Sequence, residues 1–199
     1  MGKTSKKNKP DTAKNNYESF YLSKTKKIPG TRSMVRGKVL EVLFANEISR
    51  EPIDNLFEII FYRQFKFEPD EPNTNRLLTR EEILELEADI PIIWDEEEVQ
   101  FAKELIEKTI ETRPFSIEEI RQTIANWEFE RLTITDRIIL EMGIAELLHF
   151  PQIDPEVTIN EAIEVAKLYS TDKSGLFVNG ILDTLFKKFL QQGLIQKNK

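Results

Sequence analysis

The segment Ile134-Thr-Asp-Arg-Ile-Ile-Leu-Glu-Met-Gly-Ile-Ala-Glu-Leu-Leu148 decides the fold, together with Val157-Thr-Ile-Asn-Glu-Ala-Ile-Glu-Val-Ala-Lys167 and Phe177-Val-Asn-Gly-Ile-Leu-Asp183 behind it. In the first segment Ile138, Ile139, Met142, Ala145 and Leu148 recur every three or four residues, which places them on one helical face. Thr135-Asp136 gives that helix a start signal and Pro151 a stop. Pro155 opens a second helix with Ile159, Ala162, Ile163, Ala166 and Leu168 on its apolar side. A third covers about Ser174–Leu190 and carries Phe177, Ile181, Leu185 and Phe189.

Toward the N-terminus the same period recurs. Ser33 is placed to cap a helix bearing Val35, Val39, Val42, Leu43 and Ile48. Residues 53–65 give another stripe, with Ile53, Leu56, Phe57, Ile60 and Phe61. Asp95–Thr112 returns to helical spacing through Val99, Ala102, Leu105, Ile106 and Ile110. Ser116 and Glu119 are spaced as a capping box and predict a separate helix with Ile117, Ile120, Ile124 and Trp127. No stretch reads as a strand of useful length, so the expected fold is all-α with about seven helices.

Charge divides the chain. Residues 1–38 hold 11 Lys/Arg against 2 acids, or +9, while residues 39–199 hold 17 against 33, or −16. The first 30 residues read as a basic, disordered arm, and residues 193–199 as a tail. The body between them, residues 31–192, is interrupted by an acidic insertion at about 66–94 that holds Pro69, Pro72 and Pro91. Glu68–Glu98 alone carries 12 acids and 2 bases, and within it Thr79–Ala88 reads as a short helix with Thr79 and Glu82 as its capping box. A basic arm on an acidic body points to contact with an anionic partner.

Composition removes several classes of chemistry. The chain has no cysteine, hence no disulfide framework, zinc knuckle or Cys nucleophile. Its one histidine, His149, precedes Phe150-Pro151 and reads as a partner for a helix C-terminus, not as a catalytic base. Asp95-Glu96-Glu97-Glu98 lacks the glycine and spacing of a calcium loop and fits a helix N-terminus instead. Asn160 and Asn179 read as structural amides. The longest charge-free stretch, Ser174–Leu182, has 9 residues, too few to span a bilayer. No catalytic residues, metal site, cofactor or membrane contact are expected, and the chain reads as cytoplasmic.

The three C-terminal segments resemble the NusB family of transcription antitermination factors. An acidic-Arg pair enters an apolar helix ending in Glu-Leu. An Ile-Asn-Glu-Ala-Ile-Glu segment and a Phe-Val-Asn-Gly segment follow in order. Arg36-Gly-Lys-Val-Leu-Glu-Val-Leu-Phe44 is similar to the family's opening helix. The resemblance implies two packed three-helix bundles, no catalysis, and binding of boxA-type single-stranded RNA. That binding would be shared with NusE, a small-subunit ribosomal protein, in support of RNA polymerase elongating through ribosomal RNA operons.

The residues agree with such a surface. Single-stranded RNA is held by stacking on aromatic or Arg planes and by phosphate contacts. Arg32 and Arg36 lie one helical turn apart, Lys26 and Lys27 precede them on the arm, and binding through them falls with salt. Cations at a helix start oppose its dipole, which suggests another purpose for them. The resemblance adds Lys173, Ser174 and Phe177 at the start of the last helix, with Phe177 matching the family's RNA-touching aromatic. Lys173 stands where well-studied members carry an acid, Leu176 where they often carry Lys, and Ser33 and Met34 where others often have Arg. Lys173 favours RNA binding, whereas Leu176 and the thinned Arg content favour, as the competing expectation, a protein-interaction module of the same fold that has lost RNA binding. A third class, the NusB-like domain of an RNA cytosine methyltransferase, is disfavoured by the missing cysteine.

Overall fold

The computed structural model describes residues 28–62, 92–124, 129–171 and 173–196. Lys26, Lys27, the expected Thr79–Ala88 helix and Trp127 lie outside them. The chain divides into two units. In the first (Met1–Pro29 with Glu71–Ile93), the described residues form a short parallel pair, β1 (Ile28–Pro29) on β2 (Ile92–Ile93), in register Ile28 to Ile92 and Pro29 to Ile93. Two residues a side are too few to leave a two-residue period, so the sequence gives no strand signal here.

The second unit holds six described α-helices: α1 (Arg32–Ser49), α2 (Ile53–Tyr62), α3 (Glu96–Thr123), α4 (Ile134–His149), α5 (Pro155–Tyr169) and α6 (Ser174–Gln191). α1 packs on α2 and α3, α4 packs on α5 and α6, and α5 packs on α6, giving two groups of three. α4 joins the groups by packing on α1 and α3 as well. Its residues Asp136 and Ile138–Leu147 are buried on nearly every side, the state of a helix at the centre of a core. Gly143 lets α6 approach closely, for a Cβ there would lie 2.8 Å from Leu182 Cδ1.

Local start signals are shifted from expectation. α1 is capped by Thr31, whose Oγ1 accepts from Met34 N at 3.3 Å, not by Ser33. α4 is capped by Thr133, whose Oγ1 accepts from Asp136 N at 3.0 Å, two residues before the expected start. Both caps use the same hydroxyl chemistry the sequence predicts, two residues earlier in the chain. α3 opens with a full capping box between Asp95 and Glu98, so the acidic run there serves a helix N-terminus.

The expected break between residues 112 and 116 does not occur. α3 is one helix of 28 residues that continues through Pro114. Pro114 is exposed; it removes one backbone donor and its ring crowds the carbonyl of Ile110, four residues earlier. The buried face runs from Phe101, Leu105 and Thr109 through Thr112 to Ser116 and Ile120. Packing of that continuous face outweighs the local preference to stop. Ser116 is fully buried within the helix and caps nothing.

Candidate nucleic-acid interface

The first turn of α1 carries no acid, so its N-terminus stays positive. Arg32 stands exposed in that turn, with its guanidinium 4.4 Å from the centre of the Phe101 ring on α3. Arg36, one turn on, is only 5 % exposed. Its Nε donates to Glu146 Oε2 at 2.9 Å, its NH2 donates to Glu146 Oε1 at 2.7 Å, and its NH1 lies 3.5 Å from Glu161. Thr158 Oγ1 donates to the same Glu146 Oε1 at 2.7 Å. The donors of Arg36, expected to clamp a phosphate, are committed to Glu146 and Arg32 O inside the protein. Spacing put Arg36 on the right face of α1, but the burial depends on a carboxylate 110 positions away.

At the start of α6, Lys173 is exposed and makes no side-chain cap. Ser174 is 3 % exposed, and its Oγ contacts Asp136 Oδ2 at 3.2 Å, Thr171 Oγ1 at 2.8 Å and Ser170 Oγ at 3.0 Å. Its backbone N–H donates to Thr171 O. Ser174 thus builds the turn that presents Lys173, and its hydroxyl, expected to meet a phosphate, is taken up by these contacts. Phe177 is half-buried and packs against the core. Leu176 beside it is 80 % exposed.

Tyr169, at the end of α5, links these two places. Its OH donates to Glu41 Oε1 on α1 at 2.8 Å, and its ring lies over Gly37, where a Cβ would come within 2.9 Å of the phenol oxygen. Burial, followed by the hydrogen bond and charge of Glu41, pushes the phenol well above its ordinary pKa. The segment leading to Lys173 is in this way tethered to the helix bearing Arg32. Neither Phe101 nor Tyr169 carries a motif or spacing that singles it out in the sequence.

A second feature lies between α1, α3 and α4. Glu47 pairs with Arg137 at 2.9 Å and with Arg113 at 3.6 Å. Arg113 Nε donates to Glu141 Oε2 at 2.9 Å, and Arg137 Nε lies 3.9 Å from Glu141 Oε1. Glu141 is fully buried, which pushes its carboxyl up against the opposing pull of Arg113 and Arg137. The hydrogen bond from Arg137 holds Glu47 down. Exposed apolar residues lie one turn before three of these side chains: Phe44 before Glu47, Ile110 before Arg113 and Ile134 before Arg137, with Ile48 next to Glu47. Exposed apolar groups around a held charge cluster have the make-up of a protein contact. A cleft of about 510 Å³ lies between α2 and α3, lined by Ile53, Phe57, Ile106 and Ile110 and edged by Asp54, Glu58, Lys103 and Glu107.

Among the described residues no cluster of ligands could hold a metal ion, and no helix is long and apolar enough to cross a membrane.

The NusB family model matches residues 55–187. The transcription antitermination protein NusB of Chloroherpeton thalassium is 33% identical over 172 residues, covering 84% of this chain and 67% of that protein. The NusB of Salinibacter ruber is 39% identical over 108 residues, covering 54% of this chain and 68% of its own length. Among solved structures, NusB of T. maritima superposes with a TM-score of 0.60 at 30% identity, covering 81% of this chain and 94% of that one. A complex of the antitermination factors NusB and NusE with double-stranded RNA shares the fold, with a TM-score of 0.56 at 20% identity, over 79% of this chain and 96% of that one. On the family match and on the two-group helical architecture, the chain belongs to the NusB family.

Proposed function

We propose that this chain is a transcription antitermination factor that binds boxA-type single-stranded RNA together with a NusE-like small-subunit ribosomal protein. It acts by binding, not by catalysis, in the cytoplasm where nascent ribosomal RNA is made. The observation that carries the reading is the pair of exposed cations, Arg32 and Lys173, on segments tied together by the Tyr169–Glu41 hydrogen bond. With Lys26 and Lys27 of the sequence's basic arm, and with Phe177 one turn after Lys173, they supply charge and an aromatic face to a single strand. Arg36 and Ser174 support this surface from beneath. The apolar positions Phe44, Ile48, Ile110 and Ile134 form the protein-facing side, where the partner docks.

The exposed Leu176 and the buried Arg36 favour one competing reading, a protein-interaction module without RNA affinity. Filter binding of a boxA-type RNA, with and without the NusE-like partner, separates the two. The antitermination reading expects binding that tightens with the partner and weakens with salt, and that falls in Arg32→Glu and Lys173→Glu variants. Partner binding with no RNA retained at low salt would sink it in favour of the interaction module.

A further inference from the structure

Phe101 lies in the first half of α3 with its ring 3 % exposed. Phe150, which follows α4, meets it edge to face at 5.4 Å and 81°, fixing the ring plane from below. Two guanidinium groups share this ring: Arg32 at 4.4 Å and Arg36 at 5.2 Å from its centre. Their surroundings differ. Arg36 is buried and neutralised by Glu146 and Glu161. Arg32 is exposed, and among the described residues no carboxylate is paired with it. Arg36 NH1 also donates to the Arg32 carbonyl at 3.2 Å, which holds the backbone from which Arg32 springs.

We propose that Phe101 is a positioning residue for RNA binding: a buried aromatic platform that holds the Arg32 guanidinium flat and ready for a phosphate or a base edge. The proposal rests on the RNA-binding reading above. An arginine stacked on an aromatic keeps its N–H donors at the rim of the plane, where they remain free to bond. A long side chain that is already ordered loses less freedom when it grips a ligand. The placement also makes little sense for the fold alone, since a cation in the first turn of α1 opposes the helix dipole. The Phe101 ring offsets that penalty without a charge partner for Arg32 among the described residues.

A double-mutant cycle on a boxA-type single-stranded RNA tests this, with affinity measured across a salt series for the unaltered chain, Arg32→Ala, Phe101→Leu and the double variant. Loss of one stacked contact corresponds to about three- to fivefold weaker binding in Phe101→Leu. Its salt slope is expected to stay unchanged, because no charge has been removed. Arg32→Ala is expected to lower the slope by about 0.7. In the Arg32→Ala background, Phe101→Leu is expected to cost nothing further. A merely structural role for Phe101 would weaken both backgrounds equally, and that result overturns the platform.

Arg32→Lys supplies an arm that does not disturb the core. It keeps the charge but loses the planar stack, so it is expected to bind about three- to fivefold more weakly at unchanged slope. Binding equal to the unaltered chain overturns the platform as well. Failure of the unaltered chain to bind RNA at low salt overturns the proposed function itself, so the two failures are told apart.

Discussion

Arg36 and Glu146 form a two-pronged ion pair, 2.7 and 2.9 Å long, that joins α1 of the first helical group to α4 of the second. Both side chains are nearly sealed from solvent, at 6% and 3% exposure. Removing one partner of a buried pair strands the other, at a cost of about 3 kcal/mol or more. Glu146→Leu and Arg36→Met are each expected to lower the melting temperature by about 6–12 °C, at roughly 2–4 °C per kcal/mol for a chain of this size. The double variant is expected to recover part of that loss, since neither charge is left alone. Calorimetry on all three checks it, and a double variant less stable than both singles would contradict it.

The buried Glu141 and its neighbour Glu47 respond to pH in opposite senses. The carboxyl of Glu141 is held above the usual 4.5 by burial, so its ionised form costs stability once the pH passes the unfolded value. That of Glu47 is held below 4.5, chiefly by the hydrogen bond from Arg137, so it contributes stability above the unfolded value and loses it as pH falls through the folded one. Urea melts between about pH 3 and pH 8 should show the stability of Glu141→Gln, relative to the unaltered chain, rising as pH increases above 4.5. Glu47→Gln should show the reverse, with a deficit that vanishes in acid. A pH-independent difference for either variant would count against this account.

Pro114 interrupts the backbone bonding of α3 without ending the helix. Because the residue is exposed, Pro114→Ala restores the missing donor and removes the ring without opening a cavity. The variant is expected to be more stable by about 1–3 kcal/mol. Denaturant titration reads this directly. A loss of stability would mean that the proline shapes the helix in a way its neighbours depend on.

The apolar residues around the Glu47 cluster are expected to matter to a protein partner and not to the fold. Ile48 is 60% exposed and Phe44 39%. Ile48→Asp should leave stability within about 0.5 kcal/mol of the unaltered chain. The same change should weaken association with the NusE-like partner by at least about tenfold, the effect of losing a contact worth 1.4 kcal/mol. Titration calorimetry with the purified partner measures it. RNA binding by the isolated chain should be untouched, which separates this side of the molecule from the Arg32 side.

Helical spacing identifies α1, α2, α4, α5 and α6, because each has an apolar stripe of ordinary length. α3 reads as two helices in the sequence because Ser116 and Glu119 imitate a cap, and only the buried run from Phe101 to Ile120 reveals one continuous helix. The candidate site was legible as a set of cations at two helix starts. The division of labour among them was not. Arg32 and Arg36 are the same residue type on the same face, and what separates them is Glu146, brought in by the packing of α4. The sequence likewise does not show that Asp136 stands within reach of the Ser174 hydroxyl.

The indole N–H of Trp94 donates to the carbonyl of Phe61 at 3.0 Å, with the two rings 5.1 Å apart. Gly30 lies beneath that indole, where any Cβ would collide with it. This clasp fastens the point where the chain leaves α2 to the point where it re-enters before α3. Joining the ends of a segment costs only about 0.6 kcal/mol more for each doubling of its length. The acidic stretch between them is consequently almost free to change in size and composition over evolutionary time. A graft of foreign sequence at this point, or its removal down to a short turn, should leave the helical body folded so long as Trp94, Phe61 and Gly30 are kept.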